Sequence, residues 1–205
     1  MLGKIREFDW REKFLNFDAV RNGIRLIFNP ELTKPDFIWC DLNDCNLEKD
    51  LAKIDLVIVD IDLTLVVEGG EEIHEKIADQ FEQIRQLCKV ACFTNKNSTR
   101  NQKIEEKYNI KVFTAGKKKK PNPTGYRKIA KENGIKDFSR ILFVDDSLST
   151  GIASAKNLGM RTALIDYKSL LDSKKEKIWA KRVFGRNFDR FLLRRIFGKN
   201  APFQN

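Results

Sequence analysis

The chain has 205 residues, with 39 basic against 29 acidic side chains and a formal charge of +10. That length suits one ordinary domain with extensions, and a composition 41% hydrophobic and 33% charged excludes a disordered or fibrous protein. No apolar run approaches the roughly 20 residues of a membrane-spanning helix, and the opening MLGKIREFDWREKF carries charges where a signal peptide needs an apolar centre, so a cytoplasmic location is expected.

Residues 1–30 scatter Phe8, Trp10, Phe14, Phe17 and Phe28 among charges and read as an N-terminal helical extension. From Ile54 the rhythm becomes strand, helix, strand, helix. Strands are predicted at 54–60, 89–94, 111–114, 140–145 and 161–166, with helices between them at 71–87, 98–108, 123–133 and 149–158. Gly134 and Gly159 stand where helix C-caps belong. Five short β-branched runs alternating with helices predict a doubly wound, Rossmann-like α/β domain over 31–166, with a parallel sheet of about five strands. Residues 167–205 form a basic, aromatic-rich helical tail, and residues 166–205 hold eleven basic and four acidic side chains. Cys40, Cys45, Cys88 and Cys92, with the lone His74, lack the ligand spacing of a zinc site and read as reduced thiols.

Ligands of such sheets bind outside the carboxyl ends of the strands. The first strand, in DLVIVDIDLTLVV, runs out at Asp60 and Asp62. The second ends at Thr94-Asn95, the loop after the third leads to Lys120-Pro121, and the fourth ends at Asp145-Asp146. Asp60 and Asp62 lie two apart in extended chain and point to the same side. Such a pair stays ionised only beside a cation. Hard oxygen donors suit Mg²⁺, and Asp145 and Asp146 add acidic ligands from a neighbouring strand. Metal and lysine together offset the charge of a phosphate that bare carboxylates would reject, which points to phosphoryl chemistry. One aspartate of the pair attacks phosphorus and becomes an aspartyl phosphate. The other protonates the leaving oxygen and later deprotonates water. Thr94 binds phosphoryl oxygens and Lys120 holds the charges in place, while Asn95 and Lys119 beside them are assigned to substrate contact.

Asp60-x-Asp62-x-Thr64, then Thr94, then Lys120-Pro121, then Asp145-Asp146 is similar to the four-motif pattern of the haloacid-dehalogenase (HAD) superfamily of phosphatases, over residues 54–166. The resemblance implies Asp60 as nucleophile, Asp62 as acid/base, and Thr94 and Lys120 as phosphate partners. It also implies Mg²⁺ held by Asp60, the Asp62 backbone carbonyl and the Asp145/Asp146 pair. Neither interval between motifs has room for a cap domain, which places the chain with the capless subclass III. An uncapped pocket suits a phosphate displayed on something large.

The stretch LTKPDFIWCDLNDCNLEKDLAKIDLVIVDIDLTL further resembles the opening of the YqeG-type subgroup, which includes phosphatidylglycerophosphate phosphatases. It implies removal of the terminal phosphate from phosphatidylglycerophosphate at a membrane surface. Three departures stand out. The subgroup has Gly-Asp-x-x-x-Thr-Asp at motif four, where this chain has Asp145 at the first place and Gly151 at the last. Leu63 stands where Asn is common, and Lys120 is followed by Pro-Asn-Pro-Thr-Gly rather than Pro-Leu-Gly. Which of Asp145 and Asp146 touches the metal stays open.

The tail KIWAKRVFGRNFDRFLLRRIFGKN mixes Arg and Lys with Trp179, Phe184, Phe188, Phe191 and Phe197, and Phe188, Leu192 and Ile196 form an i, i+4 row. Basic and aromatic residues together suit an interfacial helix on anionic phospholipid, each basic residue adding about 1 kcal/mol. The protein is therefore expected as a peripheral one on the inner face of the membrane. The same composition suits a helix packed back on the domain, or nucleic acid, since phosphate contacts ask only for charge. Two other functions remain open: a HAD phosphatase acting on a nucleic-acid end or a phosphoprotein, and a non-catalytic membrane-docking adapter.

Overall fold

The computed structural model describes residues 17–67, 70–170 and 180–203. Phe8, Trp10 and Phe14 of the N-terminal extension, Glu68 and Gly69 after motif one, and Trp179 of the tail lie outside the described residues.

Six strands form one parallel sheet: β1 (Phe37–Trp39), β2 (Leu56–Val59), β3 (Lys89–Thr94), β4 (Val112–Thr114), β5 (Ile141–Asp145) and β6 (Arg161–Ile165). Their order is β1-β6-β5-β2-β3-β4, every pairing being parallel. The described helices are α1 (Phe17–Phe28), α2 (Leu47–Asp50), α3 (Glu75–Leu87), α4 (Thr99–Tyr108), α5 (Thr124–Glu132), α6 (Ala153–Asn157) and α7 (Ala180–Phe197). Single helical connections join β2 to β3 and β3 to β4, so no cap is inserted there. The fold is the expected doubly wound α/β type.

The expectation of about five strands is corrected to six. β1 is a three-residue edge strand, too short to show a period in sequence. Tertiary contacts hold it instead. Phe37, Ile38 and Trp39 pair with Ala163, Leu164 and Ile165, and the Asp36 carboxylate accepts from the Thr162 N–H at 2.8 Å and its hydroxyl at 2.9 Å. Arg161 lies over the Phe37 ring.

β2 is central, and all four of its residues are buried. A strand covered on both faces reads as an unbroken apolar run. Its alternation splits the core in two. Val57 and Val59 face a cluster with Ile77, Phe81 and Ile84 of α3. Leu56 and Ile58 face a cluster with Phe93, Tyr126, Phe143 and Ile152. The chain leaves β2 toward β3 and β4 on one side, while β5, β6 and β1 lie on the other. The strand order therefore reverses at β2, which opens a crevice at the carboxyl edge between β2 and β5.

Two helices begin later than expected. α3 starts at Glu75 because His74 Nδ1 accepts the Lys76 N–H at 3.1 Å and caps it. The segment after β5 opens as a wide turn over Leu148–Ile152 before α6. Gly134 and Gly159 take positive φ as expected. The four cysteines are free thiols, and burial pushes those of Cys45 and Cys92 up to about 12.

Both terminal helices pack on the second core. Leu26 of α1 and Leu192 of α7 are fully buried in it, with Leu193 beside them. No helix among the described residues is long and apolar enough to cross a membrane. Leu192→Ala is expected to cost about 2–4 kcal/mol in denaturant unfolding. An unchanged midpoint would show that α7 is not part of the core.

Candidate active site

The first strand delivers Asp60 to the carboxyl edge. The Asp60 N–H still donates to the Val144 carbonyl of β5, at 2.9 Å, so Asp60 is tied to the sheet. The chain then turns sharply, with the N–H groups of Leu65 and Val66 both donating to the Ile61 carbonyl at 3.0 Å. Leu63 sits in this turn at φ +64°. A left-handed backbone costs a side chain other than Gly, Asn or Asp about 1–2 kcal/mol, which is a physical reason for Asn at this position in the subgroup pattern. Burial of the Leu63 side chain offsets that strain.

Lys120 is the centre of the site. Its buried ammonium donates to Asp60 Oδ1, to Asp145 Oδ2 at 2.7 Å and to the Phe93 carbonyl at 3.3 Å. The Phe93 and Phe143 rings lie against it on either hand. Asn95 Oδ1 accepts the Lys120 N–H at 2.7 Å, so the Asn95 amide sets where the lysine enters. Asp62 pairs instead with Arg100 at 2.8 Å and Lys96 at 3.3 Å. Thr94 Oγ1, buried at the end of β3, accepts the Lys96 N–H at 3.1 Å. Asp145 Oδ1 accepts the Ser147 N–H at 2.7 Å, so both Asp145 oxygens are engaged.

One open cleft is lined by Asp60, Asp62, Thr94, Asn95, Lys120, Asp145 and Asp146, with Lys96, Ser147, Thr150, Arg186 and Asp189. The structure thus brings together every residue expected at the site except Lys119. That lysine is exposed and outside the cleft lining. In a run of four lysines only Lys120 turns inward, because Asn95 grips its backbone and two carboxylates receive its ammonium.

Four charged residues at the site were not foreseen. Lys96 and Arg100 follow motif two at i, i+4 spacing. Arg186 of α7 donates to both the Asp146 carbonyl and Asp146 Oδ2. Asp189, also of α7, accepts from the Leu148 N–H at 3.1 Å, the Ser149 N–H at 2.9 Å and the Ser147 hydroxyl at 3.2 Å. The one signal in sequence was that Asp189 is the sole acid between residues 180 and 203.

The charges explain the proton affinities. Five carboxylates face four cations: Lys96, Arg100, Lys120 and Arg186. Burial pushes Asp60 above the usual carboxylate range against the pull of Lys120, and Asp145 and Asp146 push the same way. Burial also raises Asp146, with Arg186 opposing and Asp145 assisting. For Lys120 burial works downward, but Asp145 and Asp60 overcome it and keep the ammonium charged. Burial would raise Asp62 too, yet its hydrogen bond to Arg100 and the charge of Lys96 prevail and hold it low.

A divalent cation fits this donor set chemically. The donors are all hard oxygens, and Asp60 and Asp146 are held at raised proton affinity first by burial and then by neighbouring carboxylates, a negative charge that a cation would relieve. Among the described residues no three such side chains yet form a ready metal cluster, because Lys120 bridges Asp60 and Asp145 while Arg186 holds Asp146.

Motif four shows an exchange of positions. A Cβ built on Gly151 would lie 2.2 Å from Asp145 Oδ2 and 2.3 Å from its Cγ. The side chains of residues 145 and 151 compete for one space. In this chain Asp145 fills it, and Gly151 leaves it free.

The family described as mitochondrial PGP phosphatase matches residues 17–167. No curated protein matches the chain at a significant level. Among solved structures, an uncharacterized protein from Listeria monocytogenes serotype 4b superposes with a TM-score of 0.46 at 14% identity, covering 63% of this chain and 88% of that one.

Two outcomes follow from the site geometry. Gly151→Ala is expected to cost about 1–3 kcal/mol by overpacking in the native background and much less when compared with Asp145→Gly alone, a double-mutant cycle in denaturant unfolding that cancels what Asp145→Gly itself costs Lys120; equal costs in the two backgrounds would contradict the shared space. A carboxylate whose folded pKa is raised contributes stability below its ordinary pKa near 4 and loses it as pH rises toward the folded value. Without added metal, the native protein is therefore expected to lose more stability between pH 5 and pH 8 than Asp60→Asn does, whatever that variant costs by stripping Lys120 of one carboxylate. An equal or larger loss in Asp60→Asn, read by denaturant unfolding at the two pH values, would contradict the assignment.

Proposed function

The chain belongs to the mitochondrial PGP phosphatase family, and on that premise we propose that this phosphatase converts phosphatidylglycerophosphate to phosphatidylglycerol through an aspartyl phosphate on Asp60, with Mg²⁺ as cofactor. The observation that carries the mechanism is the Lys120 ammonium bound to both Asp60 and Asp145, with Asp62 two residues beyond on separate cations. The likeness of residues 30–166 to the YqeG-type subgroup supports the same substrate, as does a cleft with no cap over it.

In the first step the second oxygen of Asp60 attacks phosphorus, forming an Asp60 O–P bond as the bond from phosphorus to the glycerol oxygen breaks. Asp62 gives its proton to that departing oxygen. The phosphate dianion competes with Asp62 for Lys96, which raises Asp62 from its low resting value toward the acid role. In the second step water attacks the aspartyl phosphate, Asp62 takes the water proton, and the Asp60–phosphorus bond breaks to free inorganic phosphate and restore Asp60. Lys120 draws Asp60 toward its ionised form against burial and offsets the charge that builds on the phosphoryl oxygens, with Thr94 beside it. Asp60, the Asp62 carbonyl and Asp146 would hold Mg²⁺, which would supply further positive charge against the phosphate dianion. Asp146 suits that place better than Asp145, both of whose oxygens are already engaged.

The working surface is an anionic membrane, on which the protein docks peripherally. Ile24, Ile27 and Phe28 form an exposed i, i+3, i+4 row on α1, with Phe28 83% exposed. Arg25 lies beside that row, and Phe191, Arg194, Arg195 and Lys199 are exposed at the end of α7. Apolar side chains flanked by cations are the combination an interfacial surface uses.

Phosphate release from phosphatidylglycerophosphate in mixed micelles with Mg²⁺ is expected to fall by about 10³-fold or more in Asp60→Asn and to stop with EDTA. Release from an aryl phosphate alone would keep the chemistry and sink the lipid substrate. The double variant Ile24→Asp, Phe28→Asp is expected to reduce co-sedimentation with phosphatidylglycerol vesicles about tenfold or more, the loss of two apolar side chains. Unchanged co-sedimentation would remove α1 from the docking surface.

A further inference from the structure

α7 makes two kinds of contact with the domain, and only one is needed to dock a helix. Leu192 and Leu193 bury an apolar face in the second core. One turn earlier, Arg186 and Asp189 place a charged pair, i and i+3 on one face, against the loop after β5. Burying charge is a poor way to add stability. A buried ionic pair is often no better than apolar residues of the same volume. Asp189 even adds a carboxylate, 7% exposed, to a site already rich in them.

Arg186 holds Asp146 itself, and Asp189 holds the turn that follows it. Arg186 takes the Asp146 main-chain carbonyl and only Oδ2 of its two carboxylate oxygens. Asp189 takes the next donors along the chain, the Ser147 hydroxyl and the Leu148 and Ser149 N–H groups. Asp146 is thus gripped at its carboxylate and at its carbonyl, and the turn that follows it is fixed. Neighbouring Asp145 has no part in this grip; its oxygens go to Lys120 and the Ser147 N–H.

We propose that Arg186 and Asp189 are positioning residues of the phosphatase site, which set the place and direction of the Asp146 carboxylate and thereby the affinity of the site for its divalent cation. The proposal rests on the reading of Asp146 as a metal ligand. On this account the C-terminal helix completes the catalytic edge, and the helix that carries exposed basic residues toward an anionic surface is the one that holds a metal-binding carboxylate.

The test is a Mg²⁺ titration of thermal unfolding on the full chain without substrate, so that it reads binding rather than turnover. Asp189→Ala and Arg186→Ala are expected to raise the Mg²⁺ concentration giving half the stabilisation by about tenfold or more. Arg186→Lys, which keeps the charge and loses the planar fork, and Asp189→Asn, which keeps one acceptor, are expected to fall between these and the native protein. Both also keep the test decisive if an alanine variant fails to fold. Leu192→Ala, outside the site, is expected to melt lower with the native Mg²⁺ midpoint. Arg186 and Asp189 variants that behave like Leu192→Ala would reduce the pair to helix docking and overturn the proposal. Tighter Mg²⁺ binding in Arg186→Ala would make the arginine a competitor for Asp146 and overturn it as well. A native protein with no Mg²⁺ response would sink the metal reading itself, which is a different failure from a native response that the variants share.

Discussion

The Lys120 ammonium, buried between Asp60 and Asp145, is the interaction on which the rest of the site depends. A lysine so deeply buried stays charged only because two carboxylates receive it, and removing either partner of such a group is far more costly than the group is stabilising. The arrangement ties three parts of the chain together: the end of β2, the loop after β4 and the end of β5. It requires β2 and β5 to be sheet neighbours, which the reversal of strand order at β2 supplies. It also requires the lysine to enter from one direction, which the Asn95 amide enforces through the backbone. Asp62, two residues from Asp60, is kept out of this cluster by Arg100 and Lys96. Two carboxylates so close together therefore hold opposite proton affinities at rest, Asp60 raised and Asp62 lowered; the proposed roles ask for the reverse, which a cation at Asp60 and a phosphate drawing Lys96 from Asp62 would supply.

The same crowding explains features that look like departures from a motif. Gly151 is not a lost acid so much as the space that Asp145 occupies. The wide turn over Leu148–Ile152 carries backbone N–H groups to Asp189 on a helix some forty residues further on. A chain segment that composition marks only as basic and aromatic turns its apolar row into the core and its one acid toward the catalytic edge. The exposed apolar row is found instead on α1, at the other end of the chain.

Much of this was legible in the sequence, for a physical reason. A strand buried on both faces is a continuous apolar run, and an acid that ends such a run is conspicuous; Asp60, Asp62 and Asp145-Asp146 could be placed on one edge on that basis alone. Other parts carry no local signal. β1 has three residues and exists through the grip of adjacent Asp36 on Thr162 and through pairing with Ala163, both far away in sequence. Lys120 is marked by Pro121 and by the order of the motifs, but nothing in the run of lysines shows that Lys119 beside it faces away from the cleft. Arg186 and Asp189 lie on a helix whose charge pattern suggests only a surface, and their partners are forty residues earlier. Local pattern shows which side chains are out of place in a core, whereas tertiary contact decides what they meet.

The central claim is that Asp60 carries the phosphoryl group between lipid and water. The most direct measurement is rapid acid quenching of the native protein during turnover of phosphatidylglycerophosphate labelled in its terminal phosphate, followed by peptide mapping. The account predicts label on the peptide containing Asp60, absent in Asp60→Asn and decaying on a chase with unlabelled substrate. Steady turnover of the lipid with no label on that peptide, or with label on another side chain, would contradict it.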